Sequence, residues 1–393
     1  MIELRGQYNA AKVFTDNIDR DGISQIIAMM NQAYMADSRI RIMPDVHAGK
    51  GCVIGTTMTI KDKVCPNLVG VDIGCGMETV RLRETEIDLE KLDDFINAEI
   101  PSGFDNRTSP HDLSKKIDLA HLFCSDRREM PGNYYCSIGS LCGGNHFIEL
   151  DRDDSGSLYL VVHSGSRLLG GKVASYYQRE GARTLTKEAQ VEAIEKMKAA
   201  GRQADIQGML KSTDFNVPKD LAYVTGSLLE QYLNDMKIAQ EFAALNRQAI
   251  VCDIVKAFGL HVEEQFTTTH NYIDLENNIL RKGAVSAQKG EKILIPMNMR
   301  DGCLICLGRG NEDWNCSAPH GAGRLLRRSD AKELLDLEEF QMEMEGIYST
   351  SIGLSTLDES PMAYKPMGGI LEDIRPTASV LKIIRPVYNF KAH

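Results

Sequence analysis

The sequence predicts an α+β fold with a strand-rich core and a helical insertion, and two observations carry this prediction. First, glycine turns alternate with β-rich runs over residues 1–84 and around 130–170, and such runs return after residue 270 in KILIPM and CLICLG. Second, residues 184–260 place apolar side chains at three- and four-residue spacing in a helix-forming composition. This segment is expected to form long amphipathic helices packed beside the strands.

Local patterns predict individual elements. The run CVIGTTMTI (52–60) and residues 157–163 of SLYLVVHSGSR are β-rich and predict strands. A last helix is expected to begin near Ser329, an N-cap residue with Asp330 behind it, and to continue through LLDLEEFQMEMEGI.

Length and composition are those of a globular protein. The chain has 393 residues, of which 43% are hydrophobic and 25% charged, so it can bury a sizeable core. The length allows two or three domains, but no linker rich in Pro, Ser or Gly separates them. The candidate ligands run from residue 72 to 320, so we expect one domain over 1–393 with a helix-rich segment at about 184–260.

The sequence lacks the marks of membrane and secreted proteins. No apolar run reaches the ~18 residues that a membrane helix needs, and the start MIELRGQYNA lacks the apolar core of a signal peptide. Ten cysteines in such a chain are expected to be reduced thiols, which predicts a cytoplasmic location. The net charge of −10 disfavours a wholly basic nucleic-acid-coating protein but leaves room for a local basic groove.

The most informative stretch is VGVDIGCGM, where Asp72 and Cys75 lie three residues apart in a glycine-rich turn after an apolar run. A carboxylate and a thiol on a tight loop form a metal-ligand pair, and the glycines let the backbone approach an ion closely. Taken alone, the pair is explained equally well by an ordinary turn with a capping Asp and a buried thiol.

Three further segments carry candidate ligands: GGNHFIEL with Asn145, His146 and Glu149, VVHSGSR with His163, and TTTHN with His270 and Asn271. An isolated histidine is more often a core residue bonded to the backbone, although His163 ends an apolar strand, where site residues tend to lie. Of the other histidines, His47 in PDVHAGKG has a fair claim to a role. One thiolate, one carboxylate and several imidazoles suit zinc, manganese, iron or cobalt. One ion, or two ions bridged by the thiolate, would satisfy this set.

His320 lies on the glycine turn of SAPHGAGR, where Gly321 and Gly323 let backbone N–H groups face an anion. Three arginines follow within eight residues: Arg324, Arg327 and Arg328. A neutral imidazole beside an anion site can attack phosphorus and form a phosphoramidate. From spacing alone, a phosphate-binding turn with a non-reacting histidine is slightly favoured.

Other catalytic signatures are absent from the sequence. There is no Walker A motif, no dinucleotide fingerprint and no lysine-centred KxDG motif, and HSGSR lacks the GxSxG elbow of serine hydrolases. The pair Cys303 and Cys306 has CxxC spacing but no second pair at zinc-ribbon distance, so both are expected to be core residues.

Eight motifs, in order from residue 43 to 391, resemble those of the RtcB family of RNA ligases, and in length the chain resembles its shorter bacterial members. They are MPDVHAGKG, VGVDIGCGM, GGNHFIEL, VVHSGSR, THN, DWNCSAPHGAGR, DESPMAYK and RPVYNFKAH. The resemblance implies an RtcB-like single catalytic domain that performs RNA repair and tRNA splicing. It implies GTP-dependent joining of an RNA 3′-phosphate or 2′,3′-cyclic phosphate to a 5′-hydroxyl, with manganese.

The resemblance also assigns the metal ligands by position. Cys75 would bridge two manganese ions, His163 and His270 would complete the shell of one ion, and Asp72 and His146 that of the other.

By the same resemblance, His320 would attack the α-phosphate of GTP and carry GMP covalently. GMP would pass to the RNA 3′-phosphate, and the 5′-hydroxyl would then displace it. Glu149 would accept from guanine. The implied nucleotide contacts are Asn145, Glu149, Asn271, Pro296, Met297, Asn298, Met299, Gly321, Ala322, Gly323, Tyr364 and Lys391.

Two segments depart from the family pattern. PMNMR, from Pro296 to Arg300, stands where many members have PGSMG, so that Asn298 replaces a serine. After HGAGR, this chain has RRS where members commonly have an S-R pair. Both departures bear on substrate preference and leave every proposed ligand and the nucleophile in place.

Two other functions would use the same residues. A guanylyltransferase or repair enzyme for another nucleic-acid end is distinguished only by substrate assays. A metal-dependent phosphodiesterase would use the metal site without GTP, and absence of a histidine–GMP adduct would favour it. The natural RNA, the metal used in the cell, the oligomeric state and the need for a protein activator are left open by the residues.

Overall fold

The structure, a computed structural model, describes residues 1–49, 51–124 and 133–392. It has the predicted α+β architecture, with strands and helices interleaved along the chain. The strands are β1 (Ile2–Arg5), β2 (Ala10–Val13), β3 (Ile40–His47), β4 (Ile54–Thr59), β5 (Lys63–Val64), β6 (Gly76–Leu82), β7 (Phe147–Arg152), β8 (Leu158–Ser164), β9 (Val224–Thr225), β10 (Val262–Thr269), β11 (Asn271–Asp274), β12 (Ile279–Lys282), β13 (Ala284–Ser286), β14 (Lys292–Asn298), β15 (Gly302–Gly308), β16 (Ser317–Pro319) and β17 (Ala378–Lys391).

Helices connect and cover these strands. The α-helices are α1 (Arg20–Met30), α2 (Leu89–Glu99), α3 (Asn133–Cys136), α4 (Arg167–Ala199), α5 (Ile206–Ser212), α6 (Gly226–Phe258), α7 (Arg328–Leu334), α8 (Leu337–Glu343) and α9 (Met367–Asp373). Short 3-10 turns occupy Ala33–Met35, Pro66–Leu68, Asp112–Lys116, Leu119–His121, Gln203–Asp205, Glu312–Trp314, Leu354–Glu359 and Pro361–Ala363. No helix in the described part of the chain is long and apolar enough to cross a membrane.

The first sheet has six strands in the order β1-β2-β3-β4-β12-β11. Its one parallel pair, β2 and β3, needs a crossover connection, and α1 supplies it. The prediction of strands throughout 1–84 was therefore wrong at α1. The helical pattern was present, since Ile26, Met29 and Met30 recur at helical spacing and are fully buried, and Asp19 caps the helix by accepting from Gly22 N–H.

The second sheet has seven antiparallel strands in the order β10-β6-β8-β7-β17-β15-β14. The interior strand β8 is buried along its whole length, because both faces of the sheet are covered there. Leu160 and Val162 join an apolar core that includes residues of α2 and α6. Tyr159 and Val161 face a second apolar cluster, and His163 continues that face at the end of the strand.

The two long helices were predicted, with differences in extent and burial. Helix α6 coincides with the predicted segment and ends at Gly259, which adopts the left-handed conformation typical of helix ends. Helix α4 begins at Arg167, before the predicted boundary, because Leu169, Val173 and Tyr177 continue a buried four-residue repeat. The buried residues of α4 all precede residue 184, so its second half does not pack beside the strands as predicted.

The predicted last helix is wrong in detail. Two short helices, α7 and α8, replace it, and Arg327 rather than Ser329 stands at the first cap position. The break has a local cause, because the Asp336 carboxylate accepts from Glu338 N–H and Glu339 N–H and so starts a new helix. The predicted strands at 52–60 and 157–163, and those at KILIPM and CLICLG, are confirmed as β4, β8, β14 and β15.

We expect Asp336→Ala to lower the free energy of unfolding by about 1 kcal/mol, because it removes the acceptor at the start of α8. Ser329→Ala is the matched control and should change it by less than ~0.5 kcal/mol, since that exposed hydroxyl bonds only to Asp330 among the described residues. Chemical denaturation measures both values, and equal losses would contradict the assignment of the helix start.

Candidate metal and nucleotide site

Strand register brings the predicted metal ligands to one end of the seven-stranded sheet. Cys75 precedes β6, His146 precedes β7, His163 lies near the end of β8 and His270 follows β10. Strands β10, β6, β8 and β7 are neighbours, with Thr269 opposite Gly76, Met77 opposite His163, and His163 opposite Phe147. Side chains far apart in the chain are therefore adjacent along one sheet edge.

The sulfur of Cys75 is the centre of this cluster. It lies 3.1 Å from His146 Nε2 and 3.2 Å from His163 Nε2, and Asp72 Oδ2 is 3.1 Å from His146 Nε2. The His270 ring follows, with its centroid 5.2 Å from that of His163. All five predicted metal ligands thus lie together.

Supporting contacts orient these side chains. His163 Nδ1 lies 3.1 Å from the Asn145 carbonyl oxygen, to which it donates, so its Nε2 lone pair faces Cys75. Arg247 is buried and donates to the carbonyls of Gly74 and Ser164, which fixes the loops beside the cluster.

Gly165 provides the space that Asp72 occupies. The backbone N–H of the next residue, Ser166, donates to Asp72 Oδ1 at 3.2 Å. A Cβ atom at residue 165 would lie 2.0 Å from that same oxygen, so a side chain there would displace the carboxylate. The glycine of VVHSGSR is therefore needed to position a ligand.

The pKa values of the cluster favour protons on two of the side chains that would bind metal ions. Burial raises the pKa of the Cys75 thiol to about 12, with Asp72 adding to the effect. Burial disfavours the charged His146 ring, but Cys75 and Asp72 outweigh it and raise the pKa of His146 well above its usual value. Burial and the neighbouring imidazoles hold the pKa values of His163 and His270 well below the usual value of a histidine.

This donor set fits a borderline transition-metal ion. It combines one sulfur, one carboxylate and three imidazoles, all buried or half-buried, and His163 already presents an unprotonated nitrogen. His146 Nδ1 is buried and has no hydrogen-bond partner among the described residues. The set therefore suits manganese, zinc, iron or cobalt better than magnesium.

His320 lies beside this cluster and is held by a buried carboxylate. Its ring centroid is 4.9 Å from that of His270, and its Nδ1 is 2.6 Å from Asp45 Oδ2, which also accepts from the His320 backbone N–H. Asp45 is fully buried on β3. Because Asp45 engages Nδ1, Nε2 remains as the free ring nitrogen. Gly323, at φ +77°, lets this turn pack against the Asp45 carbonyl, where a Cβ would lie 2.4 Å from the oxygen.

A pocket opens from His320 and His163, and most of the predicted nucleotide contacts line it. These are Asn145, Glu149, Pro296, Met297, Asn298, Met299, Gly321, Ala322, Gly323, Tyr364 and Lys391. The Asn298 side chain already has partners within the protein: its amide group donates to Asp301, and its oxygen accepts from two backbone N–H groups. These bonds reduce the hydrogen-bonding capacity that it can offer to a nucleotide.

Glu149 and Glu359 give the pocket two buried carboxylates of different character. Burial raises the pKa of Glu149 to about 7, although Asn389 donates to its Oε1 at 2.5 Å. Burial also disfavours a charged Glu359, but Lys391 at 2.7 Å and Arg328 at 2.6 Å outweigh it and hold the pKa of Glu359 at about 2.

Cations surround Glu359. Arg324 donates to Glu359 and to the Tyr364 hydroxyl, and that hydroxyl donates to Glu359 Oε2 at 2.7 Å. Together with Lys391 and Arg328, this gives three cations around one carboxylate. Arg328 also pairs with the buried Asp358 at 2.6 Å, as Lys332 does at 3.3 Å, so four cations accompany two carboxylates and the positive excess suits phosphate groups.

Two predicted residues lie elsewhere. Asn271 does not line the pocket; it donates to the Asp72 carbonyl and accepts from Gly283 N–H, so it braces the metal loop. Arg327 is exposed and pairs with Asp21, so the predicted cationic cluster contains only two of the three arginines near the pocket. The reason is the start of α7, which turns residue 327 outward from residues 324 and 328.

Several site residues were not predicted from the sequence. Asp45 lies two residues before His47 in PDVH, and Glu359 lies in DESP, so both had local signals in motifs already singled out. Met77, Phe147 and Asn389 also line the pocket, and strand alternation from the predicted ligands was their signal. His47 lines the pocket as well, and its Nδ1 donates to the Asp45 carbonyl.

The chain matches one family of known proteins along most of its length. The family described as tRNA-splicing ligase RtcB matches residues 25–131 and 123–392. The RNA-splicing ligase RtcB of Escherichia coli K12 is 28% identical over 406 residues, covering 94% of each chain. The tRNA-splicing ligase RtcB of Aeropyrum pernix is 26% identical over 421 residues, covering 84% of this chain and 83% of that protein.

We expect the affinity of this cluster for a divalent transition-metal ion to rise with pH. Cys75 and His146 both have raised pKa values, so the metal-free cluster holds protons on them that an ion must displace, and a higher proton concentration at lower pH opposes this displacement. The affinity should change about tenfold per pH unit for each proton displaced. Equilibrium binding across the neutral range, with metal content by elemental analysis, measures this.

Cys75→Ala is the paired variant. It should bind less metal and show a shallower pH dependence, because one displaced proton is missing. Full metal occupancy in this variant would refute the central position of the sulfur.

Proposed function

This chain belongs to the RtcB family, and we propose that it is a GTP-dependent RNA ligase that acts as one catalytic domain over residues 1–393. It would join an RNA 3′-phosphate or 2′,3′-cyclic phosphate to a 5′-hydroxyl through a histidine–GMP intermediate. The matching relatives named RNA-splicing and tRNA-splicing ligases support the RNA substrate. Reduced thiols such as Cys75 favour a cytoplasmic location.

One observation carries the proposal. His320 lies between the Cys75 cluster and the cation-rich pocket, with Nδ1 engaged by Asp45 and Nε2 free. A nucleophile that attacks a nucleotide phosphate needs a ligand-binding pocket on one side and charge compensation on the other. His320 is the side chain that meets both.

The metal would be held by the residues of the cluster. Asp72, Cys75, His146, His163 and His270 would hold two manganese ions, with Cys75 shared between them. When bound, such ions neutralise charge that develops on phosphoryl oxygens and on pyrophosphate. The raised pKa values of Cys75 and His146 fit this, since two cations would replace their protons.

The nucleotide would lie in the pocket with guanine toward Glu149 and phosphates toward His320. Glu149 is an acceptor among apolar walls such as Phe147 and Met297, which suits the N–H groups of guanine. Arg324 and Lys391 would meet phosphate oxygens or the ribose.

The reaction then follows from the chain's own groups. His320 Nε2 attacks the α-phosphorus of GTP, forming an N–P bond while the bond to the β-phosphate oxygen breaks and pyrophosphate leaves. Asp45 accepts from Nδ1–H and stabilises the positive charge that develops on the ring. An oxygen of the RNA 3′-phosphate next attacks the same phosphorus and releases His320. The RNA 5′-hydroxyl finally attacks the 3′-phosphate and displaces GMP.

His320→Ala should abolish GMP attachment while leaving the fold and the metal content unchanged. Mass spectrometry after incubation with GTP and manganese should show a GMP-sized gain in the wild type alone. Retained attachment in the variant would remove His320 as the nucleophile. No gain in a manganese-loaded wild type would instead favour a metal-dependent phosphodiesterase.

Asp45→Asn should slow GMP attachment by about 10²–10⁴-fold, because the amide no longer holds the ring in the tautomer that leaves Nε2 free. Single-turnover kinetics with GTP measures the rate, and circular dichroism checks the fold. His47→Gln is the matched control. The His47 ring also lies beside Asp45, but it donates to the backbone carbonyl of Asp45 rather than to its carboxylate. A rate in Asp45→Asn equal to that of the wild type would contradict the positioning role.

A further inference from the structure

A second cluster of buried potential ligands lies behind the nucleotide pocket. Glu149 and Asp151 are two residues apart on β7 and so project from the same face of the sheet. Cys303 projects from β15, which is separated from β7 by β17 alone. One ligand atom of each of the three residues lies within 4.8 Å of the other two.

Asp151 has no partner that would explain its burial. It is 0% exposed, and the Cys303 thiol lies beside its carboxylate, but neither oxygen accepts a hydrogen bond of ordinary geometry from the described residues. The same sheet face carries an apolar cluster that includes Phe147, Tyr159 and Cys303. The nearby amine of Lys382 bonds to Asp153 and to the Tyr159 hydroxyl instead. An ionised carboxylate in such surroundings costs several kcal/mol unless a cation or a proton compensates it.

The spacing within the cluster favours a shared ion. The Cys303 thiol donates to Glu149 Oε2 across 3.9 Å, so the proton that an ion would replace lies between two of the ligands. Sulfur and oxygen ligands around one tetrahedral zinc ion lie about 3.6 Å apart, as bond lengths of about 2.3 and 2.1 Å dictate. A proton shared directly between two carboxylates would bring their oxygens to hydrogen-bond distance, but Asp151 forms no such bond with Glu149 in this part of the chain.

We propose that Glu149, Asp151 and Cys303 bind a thiophilic divalent cation of the zinc class, separate from the ions proposed at Cys75. Binding would ionise the thiol and release its proton to solvent, and the positive ion would compensate the buried carboxylates. Three protein ligands leave one coordination position open. Glu149 also lines the nucleotide pocket, which gives the ion its route of entry.

This site would oppose nucleotide binding, a consequence that rests on the proposed function. Glu149 Oε1 already accepts from Asn389. An ion on Oε2 would engage the second oxygen and add positive charge where guanine presents its N–H groups. Zinc and guanine nucleotides should therefore exclude one another at Glu149.

Cadmium titration tests the site directly, because cadmium–thiolate bonds absorb in the ultraviolet. The Cys75→Ser, Cys142→Ser protein removes both thiols beside the other cluster and serves as the background, because the Cys142 thiol interacts with His146. In it, cadmium should give a thiolate absorption that saturates at one equivalent. Adding Cys303→Ser should abolish that absorption, and adding Cys306→Ser, a buried cysteine on the same strand outside the cluster, should leave it intact.

Equal absorption with and without Cys303 would overturn the proposal. If the Cys303→Ser protein does not fold, Asp151→Asn provides the second test, since loss of one charged ligand should weaken cadmium binding more than ~tenfold, about 1.4 kcal/mol. Unchanged cadmium affinity in Asp151→Asn would likewise overturn it, leaving a proton as the compensating charge.

The antagonism has its own readout. In the Cys75→Ser, Cys142→Ser background, saturating GTP should weaken cadmium binding at Cys303 more than ~tenfold, and ATP should not. Cadmium bound at Cys303 with no effect of GTP would retain the metal site and contradict the assignment of Glu149 to guanine. The result therefore separates a failure of the metal proposal from a failure of the proposed function.

Discussion

The hydrogen bond between Asp45 and His320 is the interaction on which the site depends. Asp45 belongs to the six-stranded sheet, whereas the Cys75 cluster lies at the edge of the seven-stranded sheet. The chain passes from one sheet to the other at His270, between β10 and β11. The proposed nucleophile is therefore fixed where the two sheets meet, with its free nitrogen determined by a carboxylate 275 residues away in sequence.

Charge compensation explains why the two halves of the site differ. Glu359 and its neighbour Asp358 are outnumbered by the cations that pair with them, Lys391, Arg324, Arg328 and Lys332, and this positive excess suits an incoming phosphate. Around Cys75, the described side chains supply sulfur, carboxylate and imidazole, and raised pKa values mark protons in place of cations. The first half is built for an anion and the second for metal ions, and His320 lies between them.

The sequence predicted much of the site because its ligands lie in short, glycine-rich motifs whose chemistry is local. Strands such as β8 and the long helix α6 were also predictable, since their apolar periodicity is strong. The errors arise where distant or competing contacts decide. Asp336 divides the last helix by capping a new one. Asn271, whose nucleotide contact stays a prediction, also joins the Asp72 loop to Gly283, a contact that the sequence does not reveal. The role of Asp45 depends on a partner that no local pattern reveals.

The most direct test of ligation follows the phosphate of the RNA itself. An RNA that carries an isotopically labelled 3′-phosphate is incubated with a 5′-hydroxyl RNA, GTP and manganese. In our account the 5′-hydroxyl attacks that phosphate, so the label should appear in the phosphodiester of the joined product and resist phosphatase. Release of the label as inorganic phosphate, with no joined RNA, would contradict the account and indicate a hydrolase.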